Sequence, residues 1–201
     1  MANLQFFKSH QLWKLHRKIA PIIFIPLFLT AFTGMGYRLG RTWMGMPKDQ
    51  ANIFLMIHQG EFLGEPLVPI YVLLVGLGLI AMLVTGVTMV RLTQKKRKNP
   101  PKDQPLNNRK VHQILAPIVF LPLFISASTG ILYRLGEDWF GMSSDASKLL
   151  LTIHQGSYFG SFGRSIYVAL IGVGLIAMLI TGINMTGIFR KKRAKASSEE
   201  S

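Results

Sequence analysis

The chain contains no cysteine, and only nine of its 201 residues are acidic. Without thiols there can be no disulfide, no thiolate metal ligand, no iron–sulfur cluster and no covalently attached c-type haem. Scarce carboxylates leave metal-assisted hydrolysis without its ligands and general bases. Also missing are a phosphate-binding loop, a GxGxxG turn after a strand, a nucleophile elbow and any flavin domain, so no soluble catalytic chemistry competes for the sequence.

Apolar residues are abundant, at 49%, and the formal net charge is +14. These two properties coexist because the charges are segregated. Four windows, about residues 19–37, 67–90, 111–133 and 165–189, carry no Lys, Arg, Asp or Glu. Each is long enough to cross about 30 Å of hydrocarbon as a helix. The connections 38–65 and 134–164 each hold three positive and three negative residues, while the excess of Lys and Arg lies at the two ends and between Arg91 and Lys110. By the positive-inside rule both termini and the central loop are cytoplasmic. The basic clusters hug helix ends and lack interleaved aromatics, so they indicate topology and not nucleic-acid binding. None of the crossings holds the acidic residue expected of a proton-driven transporter.

Sliding the sequence against itself by 96 residues aligns 16–93 with 112–189 without a gap, and 39 of the 78 pairs are identical. Such self-similarity marks an internal repeat. Each unit crosses twice, so both enter the membrane in the same direction, related by an axis along the membrane normal. The expected fold is all-α and integral to the membrane: four transmembrane helices in an antiparallel bundle made of two parallel two-helix repeats. Residues 1–98 form the first repeat, 99–110 a basic cytoplasmic linker, 111–195 the second repeat and 196–201 a polar tail.

Within each unit, prolines recur near the start of the first crossing (Pro21 and Pro26, Pro117 and Pro122), and Pro26 should kink its helix because it cannot donate to the carbonyl of Ile22. Small residues recur at helical spacing (Gly78, Ala81 and Thr85; Gly174, Ala177 and Thr181; Thr30 and Gly34; Ser126 and Gly130), which suits close helix packing or a slot for a flat cofactor. The tetrapeptide IHQG occurs at 57–60 and again at 153–156. A helix running on from His58 to Arg91 would be about 50 Å long, so the chain must break after IHQG.

Four of the five histidines pair across the repeat: His16 with His112 at the cytoplasmic starts of the first and third crossings, and His58 with His154 at the outer edge. Polar rings at membrane depth are costly unless partnered. Neutral imidazoles from facing helices can hold a haem iron, and no thiolate is present to substitute. The residues thus point to one or two haem b groups with His16, His112, His58 and His154 as iron ligands. His16 and Gly34 are separated by about 27 Å of helix, so one haem cannot be shared between an inner and an outer histidine. Arg38 and Arg134 are candidates for the haem propionates or for snorkelling at the interface, and Gly34 and Gly130 are candidates for close approach of the ring. Trp43 and Trp139 suit an aromatic belt. Chlorophyll, with one histidine per magnesium, is the second choice of cofactor, and zinc lacks a carboxylate pair to complete its shell.

The stretches LHRKIAPIIFIPLFLTAFTG (15–34), IHQGEFLGEPLVPIYVLLVGLGLIAMLVTG (57–86) and LTIHQGSYFGSFGRSIYVALIGVGLIAMLITG (151–182) resemble the PepSY-associated transmembrane family. Its members open a crossing with a histidine and an apolar run ending in TG, and place a histidine, a small residue and spaced glycines before the next. Some members are inner-membrane reductases of siderophore-bound iron, and the resemblance implies that the four paired histidines are haem ligands. Such proteins usually carry an extracytoplasmic PepSY domain between crossings, where this chain has only residues 38–65. The expected function is a membrane b-type cytochrome in a bacterial inner (plasma) or thylakoid membrane, a carrier of electrons or a component of an oxidoreductase. Its expected partners are lipid, redox proteins or a larger membrane complex, and not nucleic acid. The rival expectation is a non-redox protein that assists assembly of such a complex, with its histidines at interfaces.

Overall fold

The computed structural model describes residues 2–96 and 107–187, with side chains described over 11–91 and 107–187. Most of the expected linker and all of the polar tail lie outside the described residues. Six α-helices account for nearly all the rest: α1 (Ala2–Thr42), α2 (Lys48–Gln59), α3 (Val68–Lys96), α4 (Asn108–Phe140), α5 (Ser144–Gln155) and α6 (Gly160–Thr186). Short 3₁₀ turns join α2 to α3 and α5 to α6, and no strand occurs among the described residues. The four long helices, α1, α3, α4 and α6, are long and apolar enough to span a membrane.

These four pack as a ring in the order α1, α3, α4, α6. Neighbours are antiparallel. Along α1, His16 meets Gly86 and Ile23 meets Gly78 of α3, while Arg17 bonds the carbonyl of Thr186 and Met35 lies on Gly172 of α6. In the second half His112 meets Gly182 and Val119 meets Gly174. α1 and α4 therefore run in the same direction on one diagonal of the ring, with α3 and α6 on the other.

Lipid tails are as apolar as leucine, so burial from water cannot hold such helices together, and contact must come from close packing. The glycines provide it. A side chain at Gly78 or Gly174 would strike Ile23 or Val119. The outward faces are fully apolar: Ile22, Leu74, Ile118 and Leu170 are 76%, 64%, 65% and 68% exposed, as suits lipid contact. α1 continues unbroken through Pro21 and Pro26, as α4 does through Pro117 and Pro122.

α2 and α5 do not cross. Each follows a long helix and folds back along its outer third, α2 against α1 and α5 against α4. Phe54 lies on Gly36, and Met46 on Gly40. Both short helices are amphipathic, cover the end of the bundle at which α1 and α4 finish, which is the outer end in the expected topology, and lead IHQG back toward its interior.

Candidate functional site

IHQG closes each short helix. Gly60 and Gly156 take the left-handed conformation, with φ of 77° and 66°, and their N–H groups return to the carbonyls of Ile57 and Ile153. The reversal aims the preceding histidine at the bundle axis. It also seats each glycine against a tyrosine ring, Tyr71 or Tyr167, where any Cβ would overlap the ring. Gly60→Ala should therefore cost about 1–3 kcal/mol through positive φ alone, before the ring is displaced. Thermal unfolding in detergent tests this, and an unchanged midpoint would refute it.

His58 and His154 come together. Their half-buried rings face each other with centroids 6.4 Å apart and planes inclined by 60°. His58 Nδ1 lies 2.8 Å from the carbonyl of Thr30, and His154 Nδ1 lies 2.8 Å from that of Ser126. A carbonyl only accepts, so Nδ1–H must donate in both, leaving each Nε2 with a free lone pair. Burial, with the neighbouring His154 adding to it, pushes the His58 pKa down to about 4, and burial also lowers that of His154. Both rings are neutral at pH 7. Gly34 and Gly130 make room for them: a Cβ there would stand 3.0 Å and 3.1 Å from the Cε1 atoms of His58 and His154.

The two rings line a cavity of about 240 Å³ in the half of the bundle that α2 and α5 cover. Its floor is a layer of four leucines, Leu27, Leu79, Leu123 and Leu175. Its rim carries two guanidinium groups that reach across to the opposite half: Arg38 Nη2 donates to Gln155 Oε1 at 2.9 Å, and Arg134 Nη1 to Gln59 Oε1 at 3.3 Å. Arg134 also pairs with Asp138 at 2.7 Å, whereas Arg38 has only the neutral amide as acceptor among the described residues. In HQG, then, the histidine faces the cavity, the glutamine receives the other half's arginine, and the glycine makes the turn.

Beneath the leucine layer lies a second, smaller cavity of about 50 Å³, lined by His16 and His112. Here the partners are hydroxyls. His16 Nδ1 is 2.8 Å from Thr85 Oγ1, and His112 Nδ1 is 2.9 Å from Thr181 Oγ1. Each threonine spends its own proton on a carbonyl one turn back, that of Ala81 or Ala177 at 2.7 Å. It must therefore accept from the histidine, and again Nε2 is left free. The glycine after each threonine, Gly86 or Gly182, faces the histidine Cε1 at 3.4 Å from where a Cβ would stand. Four of the five TG dipeptides, at 33–34, 85–86, 129–130 and 181–182, accordingly put their glycine beside one of the four paired histidines; the fifth, Thr186–Gly187, ends α6.

Residues 38–147, more than half of the chain, match the family model described as the PepSY-associated TM region. The chain belongs to the PepSY-associated TM family. No curated protein and no solved structure matches it. With four apolar spans, this family member is a multi-pass membrane protein in contact with lipid.

In this PepSY-associated TM protein the eight candidate site residues line two cavities. His58, His154, Gly34, Gly130, Arg38 and Arg134 line the outer one, and His16 and His112 the inner. No cluster of three or more His, Asp or Glu side chains suited to a bare metal ion occurs among the described residues. Trp43 and Trp139 are 53% and 51% exposed and away from the cavity, in the manner of belt anchors. Gln59, Gln155, Tyr71 and Tyr167 are not among the residues the sequence singles out as candidates, and Thr85 and Thr181 stand there only in stripes suited to packing or to a flat cofactor. Their signal was available: all six recur at the 96-residue offset.

Proposed function

We propose that the protein is a membrane b-type cytochrome that holds haem b between His58 and His154. The observation that carries this reading is the His58–His154 geometry. Two imidazoles that ligate one iron from opposite sides, each nitrogen about 2 Å from the metal, have centroids about 6 Å apart. The 6.4 Å separation matches that spacing, and both free nitrogens belong to rings whose other nitrogen is anchored to a carbonyl. Anchoring of this kind fixes the tautomer and orientation of a ligating histidine and raises its basicity.

A bound haem b would supply a one-electron couple. The chain's own residues do the rest. Gly34 and Gly130 let the rings lie close to α1 and α4. Arg38 and Arg134 stand at the open end, where a carboxylate is a stronger partner for a guanidinium than the present glutamine amides. The apolar walls exclude water from the ring, and low solvent access is one of the main determinants of potential.

His16 and His112 form a second ligand pair of the same tautomer. As packed, the 50 Å³ between them suits a few waters and not a macrocycle. A second haem there requires the inner ends of the helices to part. With basic segments on the inner side, both termini are cytoplasmic and the 240 Å³ cavity opens to the extracytoplasmic face of a bacterial inner or thylakoid membrane. Electrons would pass between that face and redox partner proteins, as in a carrier or an oxidoreductase component.

The test is a reduced-minus-oxidised absorption spectrum of protein purified in detergent from a haem-replete host. A low-spin b-type signature with one haem per chain supports the outer site alone, and two per chain supports both sites. A pure, folded sample without haem absorption refutes the proposal.

A further inference from the structure

The walls of the outer cavity have an unusual composition. Its thirty lining residues form fifteen pairs separated by 96 positions, so every wall residue has its counterpart across the cavity. Twelve of the fifteen pairs are identical, against half of the pairs over the whole repeat. The exceptions are Thr30 with Ser126, Met35 with Ile131, and Val75 with Ile171. α1 and α4 occupy one diagonal of the ring and α3 and α6 the other, so these pairs relate by an approximate half-turn about the bundle axis. The cross-links repeat the pattern, Arg38 to Gln155 and Arg134 to Gln59.

Haem b nearly shares that symmetry. A half-turn about the line between its two propionates exchanges the propionates with each other and swaps vinyl for methyl groups on the far edge. Only the vinyl pattern tells the two poses apart. With the propionates toward Arg38 and Arg134, the haem's line and the bundle axis coincide.

We infer that this cavity accepts haem in both poses in comparable amounts, so that His58 ligates either face of the ring. The inference rests on the proposed haem site. Any bias must come from the three unlike pairs. Two of them, Thr30/Ser126 and Val75/Ile171, differ by one carbon, and a carbon's worth of contact shifts a population by up to about fourfold. Met35 and Ile131 differ in shape and pack on matching glycines, Gly172 and Gly76. The three need not bias in the same direction, so the populations should lie within about tenfold of each other.

Proton NMR of the oxidised, low-spin holoprotein reads this directly, because each pose gives its own set of shifted haem methyl signals. Two sets are expected, collapsing to one when the protein is reconstituted with a haem bearing methyl groups in place of both vinyls. Changing Thr30→Ser, Met35→Ile and Val75→Ile together makes the paired walls identical and should bring the ratio to one. A single set in the equilibrated wild-type holoprotein overturns the inference and leaves the haem site standing. A folded protein that takes up no haem overturns both. Two sets whose ratio ignores the triple change would deny these residues their role and overturn that part of the inference.

Discussion

If the protein holds haem as proposed, replacing His58 with alanine removes it from the outer cavity. In the proposed site the ring would supply one of two nitrogen ligands, and the cavity lining holds no Asp or Glu and no histidine besides His58 and His154. Losing only the partner behind a ligating histidine costs about 10–100-fold in affinity, so losing the ligand itself should cut haem retention by more than tenfold. His154→Ala should do the same, since the two rings face each other at 6.4 Å. His16→Ala leaves the outer site intact and serves as the control. Haem per chain after purification is the measurement. Equal haem content in His58→Ala and wild type would exclude this pair as the ligands.

A second large effect comes from adding one methyl group. Gly34 lies within a regular helix and is not among the positive-φ glycines, so alanine there favours α1 by up to about 1 kcal/mol. Its Cβ, however, would stand 3.0 Å from His58 Cε1 and 3.1 Å from Nδ1, and the ring cannot retreat without stretching its 2.8 Å bond to the Thr30 carbonyl. The helix gain and the weakened bond, about 0.5–1.5 kcal/mol, nearly offset each other, so Gly34→Ala should change thermal stability little while it tilts His58 and, in the proposed haem-loaded protein, shifts the spin state from low toward high. The double change with Gly130→Ala should lose the low-spin signature altogether. Stability and spin state are read on one sample by thermal unfolding and visible absorption. A low-spin spectrum unchanged in the double variant would show that the rings have slack.

The four crossings were legible because charge and apolar length are one-dimensional properties. The windows 19–37 and 111–133 fall within α1 and α4, 67–90 lies within α3 but for its first residue, and the window that begins at 165 coincides with α6 as far as Thr186, although α1 extends to Thr42 and α4 to Phe140. The break after IHQG was legible from length alone, and Gly60 supplies it in the left-handed region. Spacing could not reveal what each paired side chain touches. Arg38 was read as facing a cofactor or the interface, yet it reaches Gln155, 117 positions away, because α5 returns across the mouth. The Gly78, Ala81, Thr85 stripe reads as packing. Packing is what Gly78 does, but Thr85 holds His16, and which small residue faces a helix and which faces a ring depends on rotations of a few tens of degrees. The relative sizes of the inner and outer spaces were also beyond the sequence, since both are built from the same histidine and TG vocabulary.

The leucine layer between the two cavities has a further consequence. Leu27, Leu79, Leu123 and Leu175 are 2%, 9%, 3% and 7% exposed, and the same four side chains close the outer cavity from below and the inner one from above. They form a dry gasket across the pore that the glycines and histidines would otherwise leave. None of the four side chains offers a hydrogen bond, so a water molecule or bare ion in that layer would be prohibitively costly. The bundle can therefore hold a cavity at one end while its middle stays closed to the leakage of protons across it.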